Sequence, residues 1–246
     1  MAKRREDAPG PLIWLQPAPP RPRALDREQI VRAAVEVADD GGTDALTMAA
    51  VASQLGSYSA MALYRYVSSK DGLIDLMLDH VIAEVELPRR PGRSWRADIQ
   101  PIASHTWEMV MRHGWYAQLV YSRPPLGPNM MRRTEAMLGT LTRHGASTAA
   151  AMSYAAMIDR HIFGSALQGV EERAMEERYG LANPDELARA ITAVRDLAAA
   201  GGDYPILSSW MADPHVASAT EQFDLALSFL LDGIAARLRR RSSPDR

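Results

Sequence analysis

An all-α fold is what this sequence predicts, and three observations predict it. Alanine is abundant, runs of β-branched residues are scarce, and no strand-like alternation persists over several residues. With 246 residues, 47% of them apolar, the chain is long enough to bury a real core in one large helical unit or in a small unit and a larger one.

Composition also removes function classes. There is no cysteine, so disulfides, zinc fingers and cysteine nucleophiles are excluded. Net charge is −2, which is not the balance of a general nucleic-acid binder, so any DNA contact must be argued from local residues. The first residues are charged and proline-rich, with one short apolar patch at Leu12–Leu15. That is neither a leader nor a spanning helix, and the expectation is a cytoplasmic protein with no membrane partner.

In chain order, residues 1–24 read as an irregular Pro/Arg-rich arm, because Pro9, Pro11, Pro17, Pro19, Pro20 and Pro22 forbid a helix. Trp14 falls in it, and Arg21 and Arg23 are candidates for DNA contacts there, against a plain disordered tail. Asp26 with Gln29 forms a capping box and opens a first helix with an apolar stripe at Ile30, Ala33, Ala34, Val37 and Ala38, ended by Gly41-Gly42. Thr47 caps a second, short helix over Met48–Leu55, stopped by Gly56. A third short segment spans Ser59–Val67, and Ser68-Ser69-Lys70 starts a fourth helix, which Pro88 and Pro91 bring to an end. Residues 25–87 thus form a first unit.

The second unit, residues 94–241, reads as longer helices near 95–113, 114–122, 129–143 and 147–174. Asn183-Pro184-Asp185-Glu186 then starts a helix that runs to about Ala200, and a last helix covers 218–241. The final helix closes on Arg237-Leu238-Arg239-Arg240-Arg241, where cations suit the helix dipole.

The spacing of 47–70 is that of a helix-turn-helix. Val51, Leu55, Leu63 and Val67 can lock the short helices to the first one. Ser59, Ala60, Ala62, Tyr64, Arg65 and Tyr66 remain for the outer face, where small residues permit close groove entry and Arg65 can meet a guanine edge or a phosphate. Lys70, at a helix start, suits a phosphate. From periodicity alone a second reading stands: Tyr64, Tyr66 and Val67 as core, Arg65 and Lys70 as a solvated face. The run Ala45-Leu46-Thr47 through Leu55-Gly56, followed by Leu63-Tyr64-Arg65-Tyr66-Val67-Ser68-Ser69-Lys70 and Leu73, resembles the signature of the TetR (tetracycline-repressor) family over roughly 25–75. It departs at Ser57-Tyr58-Ser59, where the turn is one residue longer. The resemblance implies Thr47 as cap and phosphate contact, with Met48 beside it. Tyr64 and Lys70 become phosphate clamps, and Arg65 and Tyr66 lie near bases or backbone.

His113-Gly114-Trp115, Ser122-Arg123-Pro124-Pro125-Leu126-Gly127-Pro128-Asn129 and Leu230-Leu231-Asp232-Gly233-Ile234 resemble the C-terminal domain of a subfamily related to the tetracycline repressor. That resemblance implies a homodimer built on a four-helix bundle, with a ligand cavity in each subunit. Helix 147–174 is rich in Ala, Gly and Ser, and helix 218–241 is apolar on more than one face, which suits helix–helix contact between copies. Pocket candidates are polar or aromatic groups on apolar helices: His105, Trp107, Met111, Trp115, Met130, Met152, Tyr154, Asp159, His161 and Phe163. Each competes with a plain core role. Asp159 and His161 lie two apart and do not form an obvious metal pair, and no metal or cofactor is expected.

The function these features predict is a transcriptional regulator, a repressor that a small-molecule effector releases from double-stranded operator DNA. A ligand-independent DNA-binding dimer, or an activator, fits the same residues. No phosphate loop, metal-ligand pattern or nucleophile elbow supports an enzyme.

Overall fold

A computed structural model describes residues 25–56, 58–90, 92–123, 125–180, 183–200, 202–212 and 217–242. The expectations for the 1–24 arm, including Trp14, Arg21 and Arg23, lie outside the described residues. Among the latter there are helices and no strand: α1 (Arg27–Ala45), α2 (Met48–Gln54), α3 (Ala60–Val67), α4 (Lys70–Ile82), α5 (Trp95–Arg112), α6 (Trp115–Val120), α7 (Pro128–Arg143), α8 (Thr148–Arg178), α9 (Pro184–Ala200), α10 (Pro205–Ala212) and α11 (Ala219–Ser242).

The first four helices begin on side-chain caps from the residue before each. Asp26 makes the full capping box with Gln29, Thr47 accepts from Ala50 N, Ser59 from Ala62 N, and Ser69 from Gly72 N. α1 breaks at Gly42 (φ 69°, ψ −169°), as its glycine pair predicts, but one further helical turn carries it to Ala45. α4 stops at Ile82, short of Pro88, and α10 has no counterpart in the sequence reading.

The apolar stripes of α1 to α4 close on Ile30, Ala34, Leu46, Val51, Leu63, Val67, Leu73 and Met77. The core is continuous with that of the second unit, where Ile99, Ile102, Trp115, Tyr116, Met137, Leu141, Ile158 and Ile162 are buried. α4 is the shared element, packing on α1 and α3 on one side and on α5, α6 and α7 on the other. α8 contacts α5, α6, α7 and α11, whereas α9 and α10 pack on each other. Among the described residues, no helix is long and apolar enough to cross a membrane.

Candidate DNA-reading head and sensor core

On α3 the buried residues are Leu63, Tyr66 and Val67, and they turn one arc of the helix into the core. The opposite arc carries Met61, Tyr64 and Arg65, all exposed, at spacings of three and four. Ser59 is exposed at the helix start; Ala60 and Ala62 flank the arc half-buried. Lys70 is exposed at the first position of α4, and Thr47 at the cap of α2. Two sequence candidates do not sit on this surface. Met48 and Tyr66 are 7% and 8% exposed, because each falls on the apolar side of its short helix; the Tyr66 carbonyl accepts from Arg27 Nε at 3.0 Å. Met61 takes a place on the arc instead, 76% exposed, and was missed because methionine reads as core. In the longer turn, Tyr58 packs on the core and Ser59 caps α3.

The head is tied to the second unit by carboxylates. Asp71, Asp75 and Asp79 fall four residues apart on α4. Asp75 takes a fork from Arg123, whose Nε and Nη2 donate at 2.6 and 2.8 Å, while Arg123 Nη1 lies 3.0 Å from Asp71. Asp79 caps α7 from outside: the backbone N–H groups of Asn129 and Met130 each donate to it at 2.9 Å, and Asn129 Nδ2 donates as well. α7 has no cap of its own, since Gly127 stands at that position. Glycine is required there: a Cβ would overlap the Asp79 carboxyl. On α1, Asp39 accepts from Trp115 Nε1 at 2.6 Å and lies 2.7 Å from His113 Nδ1; the other ring nitrogen of His113 faces Glu84, which also pairs with Arg112.

The pocket candidates divide. Trp107 and His161 line a cleft of about 670 Å³ between α8 and α11, together with Phe223, Ser165, Gln222 and Glu172. Trp107 and His161 both lie parallel to the Phe223 ring, with centroids 4.4 and 5.0 Å from it. His161 Nε2 bonds the Phe223 carbonyl at 3.0 Å; a carbonyl only accepts, so that nitrogen carries the proton. Met111 joins Trp107 at a neighbouring cleft of about 390 Å³. Trp115, Met130 and Phe163 are buried in the core, Trp115 through its tie to Asp39. Met152 is exposed on α8, and His105 and Tyr154 are half-buried. Asp159 does not meet a histidine: its carboxylate accepts from Arg133 Nη2 at 2.7 Å. Among the described residues no His, Asp and Glu cluster could hold a metal ion.

Arg133 is the residue that sequence reasoning overlooked. It is 1% exposed, and its Nε donates to Thr106 Oγ1 at 2.9 Å. Tyr116 on α6 is fully buried as well, and burial holds its phenol well above the ordinary tyrosine range. Arginine in a helix reads as solvent-facing, and nothing in the neighbouring sequence signals otherwise.

A short-helix pair with an exposed reading arc, mounted on a helix that also packs into a larger α-helical unit, defines a helix-turn-helix DNA-binding regulator. Comparison with known proteins gives the family. Residues 30–77 match the model of bacterial regulatory proteins of the tetR family, and 87–238 match the tetracyclin repressor-like C-terminal domain. The chain belongs to the TetR family of transcriptional regulators. It is 34% identical over 229 residues to the HTH-type transcriptional repressor DrrR1 of Streptomyces coeruleorubidus, covering 92% of this chain and 83% of that one. It is 33% identical over 235 residues to an HTH-type transcriptional regulator of Saccharopolyspora erythraea, covering 94% of each. Among solved structures, the Streptomyces coelicolor TetR family protein ActR in complex with actinorhodin superposes with a TM-score of 0.71 at 27% identity, over 87% of this chain and 98% of that chain.

Proposed function

We propose that this chain is a homodimeric repressor whose head, residues 25–87, binds operator DNA and whose domain 94–241 releases it when a small organic ligand binds. The observation that carries the reading is the exposed Met61, Tyr64 and Arg65 arc of α3, with Lys70 one helix start away, on a head whose α4 is locked by Asp75 and Asp79 to the second unit. Arg65 and Met61 are the base-facing residues; Thr47, Ser59, Tyr64 and Lys70 hold phosphates, with Ala60 and Ala62 small enough for close approach. Outward apolar residues support a second copy docking along α8 and α11: Leu225 and Phe229 are 57% and 67% exposed, and Met152 and Met157 on α8 are exposed too. Two heads related by two-fold symmetry read half-sites in successive grooves. The repressor name of one relative and the ligand complex of ActR support release by an effector. The effector acts only through its different affinity for the DNA-bound and released arrangements of α4.

The test is fluorescence anisotropy on DNA from upstream of the protein's own and neighbouring genes, with a random duplex and a salt series. Binding to one fragment far tighter than to random DNA is expected. Equal affinity for all duplexes, or none at low salt, would refute sequence-specific control.

A further inference from the structure

Buried polar groups in folded proteins nearly always have partners, and a buried cation with a free N–H is especially costly. Arg133 on α7 meets this demand in part. Nε donates to Thr106 Oγ1 at 2.9 Å and Nη2 to Asp159 Oδ1 at 2.7 Å, but Nη1 has no partner among the described residues. The Tyr116 hydroxyl, on α6, is likewise buried and unpartnered. The Tyr116 ring tilts against Trp115 and Phe163 at centroid distances of 6.2 and 5.6 Å, and Phe163 stands one helical turn beyond Asp159, which holds Arg133. Four helices, α5, α6, α7 and α8, therefore bring a half-satisfied polar group into an aromatic, apolar surround.

The chemistry of the two free groups selects a partner. A guanidinium N–H can only donate, and a protonated phenol donates readily. Their common complement is an acceptor oxygen, which excludes an ammonium or any donor-only group. The charge of Arg133 is already balanced by Asp159, and Asp79 holds a further carboxylate on Asn129 and Met130, one turn back along α7. An anionic ligand would place an unpaired negative charge in this interior, so a neutral oxygen is preferred. We propose that Arg133 Nη1 and the Tyr116 hydroxyl form the polar anchor of the effector site and recognise a neutral ligand bearing a carbonyl oxygen on an apolar frame. The proposal rests on the ligand-released reading above. It also places the anchor where release can be driven: Arg133 lies one helical turn beyond Asn129, whose backbone N–H is capped by Asp79 of α4. A ligand that draws Arg133 and Tyr116 together shifts α6 and α7 against the helix that carries the head.

The experiment is equilibrium dialysis of the full chain against matched pairs of probes, 1-indanone with indane and 9-fluorenone with fluorene, and against indane-1-carboxylate for charge. Each ketone of a pair that fits is expected to bind roughly tenfold tighter than its hydrocarbon and tighter than the carboxylate. Tyr116→Phe removes only an unpartnered hydroxyl and should fold normally; Arg133→Met is the second variant, with circular dichroism and thermal melts on both. In each folded variant the ketone preference should fall to about threefold or less, while hydrocarbon affinity stays. Equal binding of ketone and hydrocarbon, a preference that survives both substitutions, or no binding of any probe would overturn the anchor and leave an ordered water as partner of these groups. Operator anisotropy on the same samples separates the two readings. Ketone preference through Arg133 and Tyr116 in a protein that stays on its operator keeps the site and refutes release. Release by a compound whose effect ignores both substitutions keeps release and refutes the site.

Discussion

The head and the sensor start their helices differently. In the head, α1 to α4 each take a cap from the residue immediately before them, so four short-range contacts set four boundaries. In the sensor, α5 and α8 follow the same habit through Ser94 and Ser147, but α6 and α7 have glycines at the cap position and no cap bond from them. Asp79, 50 residues upstream on α4, supplies what α7 lacks. The head is thus specified locally, and its junction with the sensor is specified by contacts between distant residues. A local cap cannot report the position of another domain, so the junction is held by ties between distant residues.

Four substitutions test that contrast. Asp79→Ala should have the largest effect, about 3 kcal/mol of stability in urea unfolding, because it strands two N–H donors of α7, that of Met130 buried and that of Asn129 half-buried; a loss under about 1 kcal/mol would make the long-range cap no stronger than a local one. Gly127→Ala should cost about 2 kcal/mol in the same assay by forcing Asp79 out of its place, and combining it with Asp79→Ala should cost less than the sum. Lys70→Ala should leave the melting temperature nearly unchanged, lower affinity about tenfold on all duplexes alike, and reduce the salt slope by about 1. Loss of discrimination between operator and random DNA would instead make Lys70 a base reader. Thr47→Ala should cost about 1 kcal/mol of stability as a lost cap, and its affinity loss for DNA, beyond that unfolding, measures any phosphate contact.

The same contrast explains what the sequence made legible. Asp26 with Gln29, Thr47 and Ser69 announce helix starts within three residues, so the head's elements were readable one by one. Tyr66 and Met48 turn inward where the sequence places them on the reading surface, because helices of eight and seven residues show too few positions to fix an inner arc, and Met61 stays hidden because methionine reads as core. Arg133 carried no signal at all: its partners Thr106 and Asp159 come from two other helices, 27 and 26 residues away. α10 escapes such a reading because it is short: Ile206, Leu207, Trp210 and Met211 keep a helical spacing around Ser208 and Ser209, but over eight residues only.

The carboxylates on α4 also bear on how such regulators can be recombined. By chain continuity, the natural place to exchange one head for another is the proline-marked segment that follows residue 87. A graft made there imports a foreign α4 and discards Asp75 and Asp79, so Arg123 loses its fork and α7 its cap, although no residue of the sensor has changed. A working chimera must carry aspartates at those two positions of the incoming helix, or take its crossover before α4. The module that is inherited, or engineered, as a unit is the sensor together with the last helix of the head.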